Sequence, residues 1–153
     1  MDPRETRESP ARRRLREHRE RASLAAVEAA LGELRTGRGL SADEEPGWAR
    51  AAIERAWSIH TEPDALLPDD SPPEVLDAWI EARLAEHGIG GDVYVASHVR
   101  PRPWLECRLP ATGWAERVRG AVEEPWMFLS GPLDRLLIVS ESEYHFECHA
   151  ASV

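Results

Sequence analysis

The hydrophobic period changes once along this chain, at Gly90-Gly91, and that change constrains the fold more than any other feature. Before it, apolar residues recur at helical spacing. Leu24, Val27, Leu31 and Leu34 repeat at 3-4-3 intervals, the spacing of one helix face. Ala49, Ala52, Ile53, Ala56, Trp57 and His60 form a second such stripe, and Val75, Leu76, Trp79, Ile80 and Leu84 a third. After it the pattern alternates. Asp92 to His98, Trp104 to Leu109, Trp126 to Ser130, Leu136 to Val139 and Tyr144 to Ala150 read as strands, with Gly113 to Glu123 as one inserted helix. The expected order is ααα-ββ-α-βββ, an α+β domain with about five mostly antiparallel strands. Leu136-Leu137-Ile138-Val139 is apolar on both faces and should be central.

Punctuation supports these boundaries. Ser9-Pro10 reads as an N-cap with proline at the first helical position, and Gly37 as the cap at the other end of a helix running to about Arg35. The second helix is expected from Asp43 to His60, with Pro46 in its first turn. Ser71-Pro72-Pro73-Glu74 reads as a capping box, and Gly88 as the third helix's end. Between them, Thr61 to Ser71 carries Pro63, Pro68, Asp64, Asp69 and Asp70 and is expected to be an irregular linker.

Charge divides the chain differently. Residues 1–21 hold eight Arg against five acids, a balance of +3, and the rest holds 11 against 23, a balance of −12, together the −9 of the whole. Residues 1–21 are therefore expected to be a basic, solvated helical arm, and 22–153 a single acidic α+β domain. All 19 basic residues are Arg, which a GC-rich coding bias explains without invoking function. No apolar run approaches the ~18 residues of a membrane span, so the cytoplasm is the expected compartment. Two cysteines, Cys107 and Cys148, fit reduced core thiols better than a disulfide framework.

Chemical motifs are few. On the last strand Glu143, His145, Glu147 and His149 share one face, yet His145 and His149 stand roughly 13 Å apart there, too far for one ion with ~2 Å ligand distances. A site would need a residue such as His98 from a neighbouring strand, and a solvated polar face is the expectation. Cys148 and His149 point to opposite faces and cannot form a dyad. No nucleophile elbow, phosphate loop or zinc signature occurs, so no catalytic residue, metal or cofactor is assigned.

Two surfaces remain. Among six tryptophans, Trp57, Trp79 and Trp126 fall at expected core positions, while Trp48, Trp104 and Trp114 begin elements; Trp104 with Arg100 and Arg102 would suit a partner. The Arg12-Arg13-Arg14, Arg16, Arg19, Arg21 cluster invites nucleic acid, but it can pair its own charges as Arg16–Glu20 and Glu17–Arg21, and it has no interleaved aromatic. The acidic body carries most functional content. The expected function is a non-enzymatic binding protein presenting Asp69, Asp70, Glu141, Glu143 and Glu147 to a basic protein partner, as immunity proteins or antitoxins do. One alternative is a regulatory protein whose arm contacts nucleic acid or another acidic surface. The other is a His/Glu-based enzyme or metal-binding protein.

Overall fold

In a computed structural model that describes residues 7–58 and 60–153, six strands form one fully antiparallel sheet with helices on both faces. The first six residues of the expected arm, and Ile59 near the expected end of the second helix, lie outside the described residues. The elements run α1 (Pro10–Leu31), α2 (Gly47–Ala56), β1 (Ala65–Pro68), α3 (Pro73–Glu86), β2 (Gly91–Ala96), β3 (Trp104–Leu109), α4 (Ala115–Ala121), β4 (Trp126–Ser130), β5 (Arg135–Glu141) and β6 (His145–Ser152). Their order across the sheet is β1-β6-β5-β4-β2-β3.

The α+β class holds, with two corrections of detail. There are six strands, not about five, and the additional one precedes the third helix. β1 lies inside the stretch expected to be an irregular linker. It pairs Ala65 with Cys148 and Pro68 with His145, and because it is an edge strand it needs partners on one side only. That is where a strand tolerates a proline that cannot donate.

Local chemistry accounts for the element ends. Ser9 accepts the Arg12 N–H at 3.2 Å and Pro10 occupies the first turn of α1. α1 ends at Gly32, five residues before the expected cap at Gly37. α2 is shorter than expected: Pro46 is its N-cap, Ala42–Glu44 form a separate 3-10 turn, and Trp57 and His60 fall outside the helix, exposed. No side-chain cap forms at Ser71, since Pro72 is the N-cap of α3. Val75, expected in the core, is exposed, and Trp79 is half-buried.

The core is two-sided. On one face α1, α3 and α4 bring Leu31, Leu76, Ile80, Leu84 and Val118 against Val93, Leu105, Phe128, Leu137, Val139 and Phe146. On the other, α2 lays Ala49, Ala52, Ile53 and Ala56 over Ala96, Trp104, Met127, Leu129, Leu136 and Ile138. β5 lies between β6 and β4, as its doubly apolar sequence requires. The outer edge of β3 is closed by residues 35–40, whose Thr36 and Leu40 N–H groups donate to the carbonyls of Glu106 (3.0 Å) and Trp104 (2.8 Å).

Candidate functional site: the loop rim of the sheet

Antiparallel pairing places the C-terminal ends of β1, β5 and β2 beside the N-terminal starts of β6, β4 and β3. Four connections therefore stand side by side along one end of the sheet: residues 69–72, 142–144, 122–125 and 97–103. With strands ~4.8 Å apart, the β1 end and the β4 start are separated by only about 14 Å.

Hydrogen bonds join neighbouring loops across this rim. The Asp69 N–H donates to the Tyr144 carbonyl (3.0 Å), and the Glu141 N–H donates to a Glu124 carboxylate oxygen (3.1 Å). His98 Nε2 lies 2.7 Å from the Pro125 carbonyl, which can only accept, so this nitrogen carries the proton. The 97–103 loop is tied within itself as well. Ser97 Oγ donates to the Arg102 carbonyl (2.6 Å) and accepts the Val99 N–H (3.0 Å).

Charge is graded along the rim. At one end stand Asp69, Asp70, Glu123, Glu124, Glu141 and Glu143, all exposed and, among the described residues, without a salt bridge. Tyr144 projects among them, 67% exposed. It was expected to begin the last strand, but it precedes β6 and lies in the hairpin turn. At the other end are Arg100 and Arg102, the latter 3.7 Å from Glu44. Beyond them α1 flanks the 97–103 loop and forms a groove of about 760 Å³ lined by Arg12, Leu15, Arg16, Arg19, His98, Val99 and Arg100, together with Glu8, Glu20 and Ser23.

The sequence candidates distribute unevenly over this surface. Asp69, Asp70, Glu141 and Glu143 converge. Glu147 does not sit on the rim: it lies inward on β6, opposite Leu66 and half-buried. Trp104 is 1% exposed, its indole N–H donating to Glu45 (2.8 Å), so it forms no surface patch with Arg100 and Arg102. Trp114 is buried too, whereas Trp57 is 50% exposed. In the arm, Arg16 pairs with Glu20 (2.8 Å) as the spacing suggests and also with Glu8 (3.0 Å), while no Glu17–Arg21 bridge forms. Those two carboxylates hold the Arg16 guanidinium more firmly protonated than usual, and Arg16 holds Glu8 below its ordinary range. Glu124 and Tyr144 were missed as candidates because strand pairing supplies their neighbours: β1 with β6 brings Asp69 to Tyr144, and β4 with β5 brings Glu141 to Glu124.

The Glu/His face of the last strand differs from a solvated surface at one end. His149 is 6% exposed, and its Nε2 lies 3.4 Å from a Glu147 carboxylate oxygen. Among the described residues no group of three His, Cys, Asp or Glu side chains is placed to hold a metal ion. Cys107 and Cys148 are unpaired and buried against the face covered by α1, α3 and α4. Burial pushes their thiols up to about 11 and about 12. Because the thiolate is the reactive form, neither should react with a thiol reagent at pH 8 in the native protein, and both should react on unfolding. Counting titratable thiols with and without denaturant checks this, and a fast native reaction would contradict the burial.

No described helix is long and apolar enough to cross a membrane. Compared with known protein families, curated proteins and solved structures, the chain matches none.

Proposed function

We propose that the chain is a non-enzymatic, cytoplasmic binding protein that presents the acidic end of this rim to a basic protein partner, in the manner of an immunity protein or antitoxin. The observation that carries this reading is convergence: exposed carboxylates at Asp69, Asp70, Glu123, Glu124, Glu141 and Glu143, without salt bridges among the described residues, share one rim with exposed Tyr144 on mutually bonded loops. Like charges held this close repel one another, so the arrangement costs stability and gains from a cation. An exposed aromatic side chain on a charged rim is the composition of an interface anchor. Occlusion of the partner's own site would be electrostatic at long range and steric at contact. Trp104 takes no part, and Glu147 contributes at most from the periphery.

Copurification from the native host tests the reading. A basic protein should come down with the chain, and its affinity should fall steeply as salt shortens the Debye length, about 10 Å at 0.1 M. Replacing Asp69 and Glu143 together by Lys should slow association by roughly 10- to 100-fold with little change in dissociation, because rim charges act mainly on encounter. A complex insensitive to ionic strength would refute it.

A second reading is favoured by the exposed guanidinium groups of Arg12, Arg13, Arg14, Arg19 and Arg21, which have no salt bridge among the described residues. In it, residues 1–21 act as an arm that contacts nucleic acid or another acidic surface. Deleting those residues separates the two: partner binding survives under the first reading and is lost under the second.

A further inference from the structure

The arm groove and the β5–β6 hairpin are complementary to each other in both charge and apolar character. The groove has an apolar floor, with Leu15 49% exposed beside Val99. Its margin carries Arg12, Arg19 and Arg100. Of these only Arg100 has a salt-bridge partner among the described residues, Glu20, and its Nε lies as far as 3.9 Å away. Glu8 and Glu20 also line the groove, but both are engaged with Arg16. The hairpin is the chemical converse: an exposed turn carrying Tyr144, with exposed Glu141 and Glu143 beside it in the chain. Leu15 and Tyr144 are two of the few large apolar side chains left in solvent, and both lie at this end of the molecule.

The hairpin cannot turn into its own groove. It is fixed by the β5–β6 ladder, by Asp69 N–H to the Tyr144 carbonyl and by Glu141 N–H to Glu124, and β4 lies between it and β2. We propose that the occupant of the groove is the hairpin of a second copy of this chain, in a two-fold symmetric dimer where each copy's Tyr144 enters the other's Leu15–Val99 floor. Each copy's Glu141 and Glu143 then meet the other's Arg12, Arg19 and Arg100. A two-fold interface requires one surface to carry both halves of the contact, and this rim carries both. Glu123 and Glu124 lie between hairpin and groove, hence nearest the axis. Their repulsion opposes close approach and places the dimer in the weak, roughly micromolar class. Such a dimer would cover the acidic arc until a basic partner displaced the second copy.

Sedimentation of the full chain over a range of concentrations tests this without any partner, so its outcome is independent of the copurification. At low salt a reversible monomer–dimer equilibrium is expected, and a tenfold rise in ionic strength should shift it to monomer. Tyr144→Ser should weaken association at least about tenfold. Arg12→Glu with Arg19→Glu, and separately Glu141→Arg with Glu143→Arg, should each give a monomer. All four positions are exposed, and circular dichroism confirms that the variants fold. Mixed together, the two charge-reversed proteins should form a heterodimer, since each hairpin again meets a groove of opposite sign. A wild-type chain that stays monomeric, a dimer that persists in both variants, or a mixture that does not associate would overturn the proposal.

Discussion

Gly39→Ala is expected to destabilise the domain by about 3 kcal/mol or more, the sum of left-handed backbone strain and a steric clash. Gly39 has φ +84°, and a Cβ there would lie 2.0 Å from the Trp104 carbonyl oxygen and 3.0 Å from the Leu105 Cα. Both are backbone atoms of β3 and cannot swing aside as a flexible side chain does. That same Trp104 oxygen accepts the Leu40 N–H, the bond that seals the strap onto the sheet edge. The methyl group therefore forces out the strap, exposing an unpaired strand edge and uncovering Leu40. For a chain of this size the loss corresponds to a melting temperature lower by roughly 6–12 °C. Gly120→Ala supplies the contrast. It adds the same methyl inside α4, where nothing lies within 4 Å, and should stabilise by about 0.5–1 kcal/mol. Urea unfolding of the two variants checks both signs, and equal effects would mean that the strap does not close the edge.

What could be read from the sequence follows the range of the forces involved. β4 and β5 were legible because their apolar character is continuous and the sheet is covered on both faces, so composition alone marks them. The start of α1 was legible because Ser9 and Pro10 act within one turn. β1 was hidden, since its four residues follow Pro63, end on Pro68 and acquire strand character only from β6, about 80 residues away in the chain. With β1 hidden, nothing local could show that Asp69 and Tyr144 are neighbours, or that the acids around them share one rim. The tryptophans teach the same lesson. Trp57 continues the apolar stripe of α2 by spacing, but α2 ends one residue earlier and leaves the ring in solvent. Trp104 sits beside a proline loop, as an exposed residue would, and is buried by elements 50 to 65 residues upstream.

Trp104→Ala is accordingly expected to be the most damaging single side-chain truncation, costing about 3–5 kcal/mol, the usual range for a large aromatic removed from a core. The ring is 1% exposed and packs among the residues beneath α2. Its indole N–H donates to Glu45, a carboxylate that also pairs with Arg50 at 2.9 Å and is itself largely buried. Truncation therefore leaves a cavity and takes a donor from a shielded carboxylate. Trp104→Phe separates the two losses. It keeps most of the volume and removes the N–H, so about 1–3 kcal/mol is expected, the cost of one unsatisfied buried acceptor and a modest misfit. Trp104→Phe combined with Glu45→Gln should cost less than the two single changes added together, because both act on one hydrogen bond. An exposed partner contact would behave differently: Trp104→Ala would leave the unfolding midpoint within about 0.5 kcal/mol of wild type and lower only binding. Unfolding curves of the four variants, Glu45→Gln alone included, decide between these roles without any partner in hand. A near-neutral Trp104→Ala would return this residue to the surface and reopen the patch with Arg100 and Arg102.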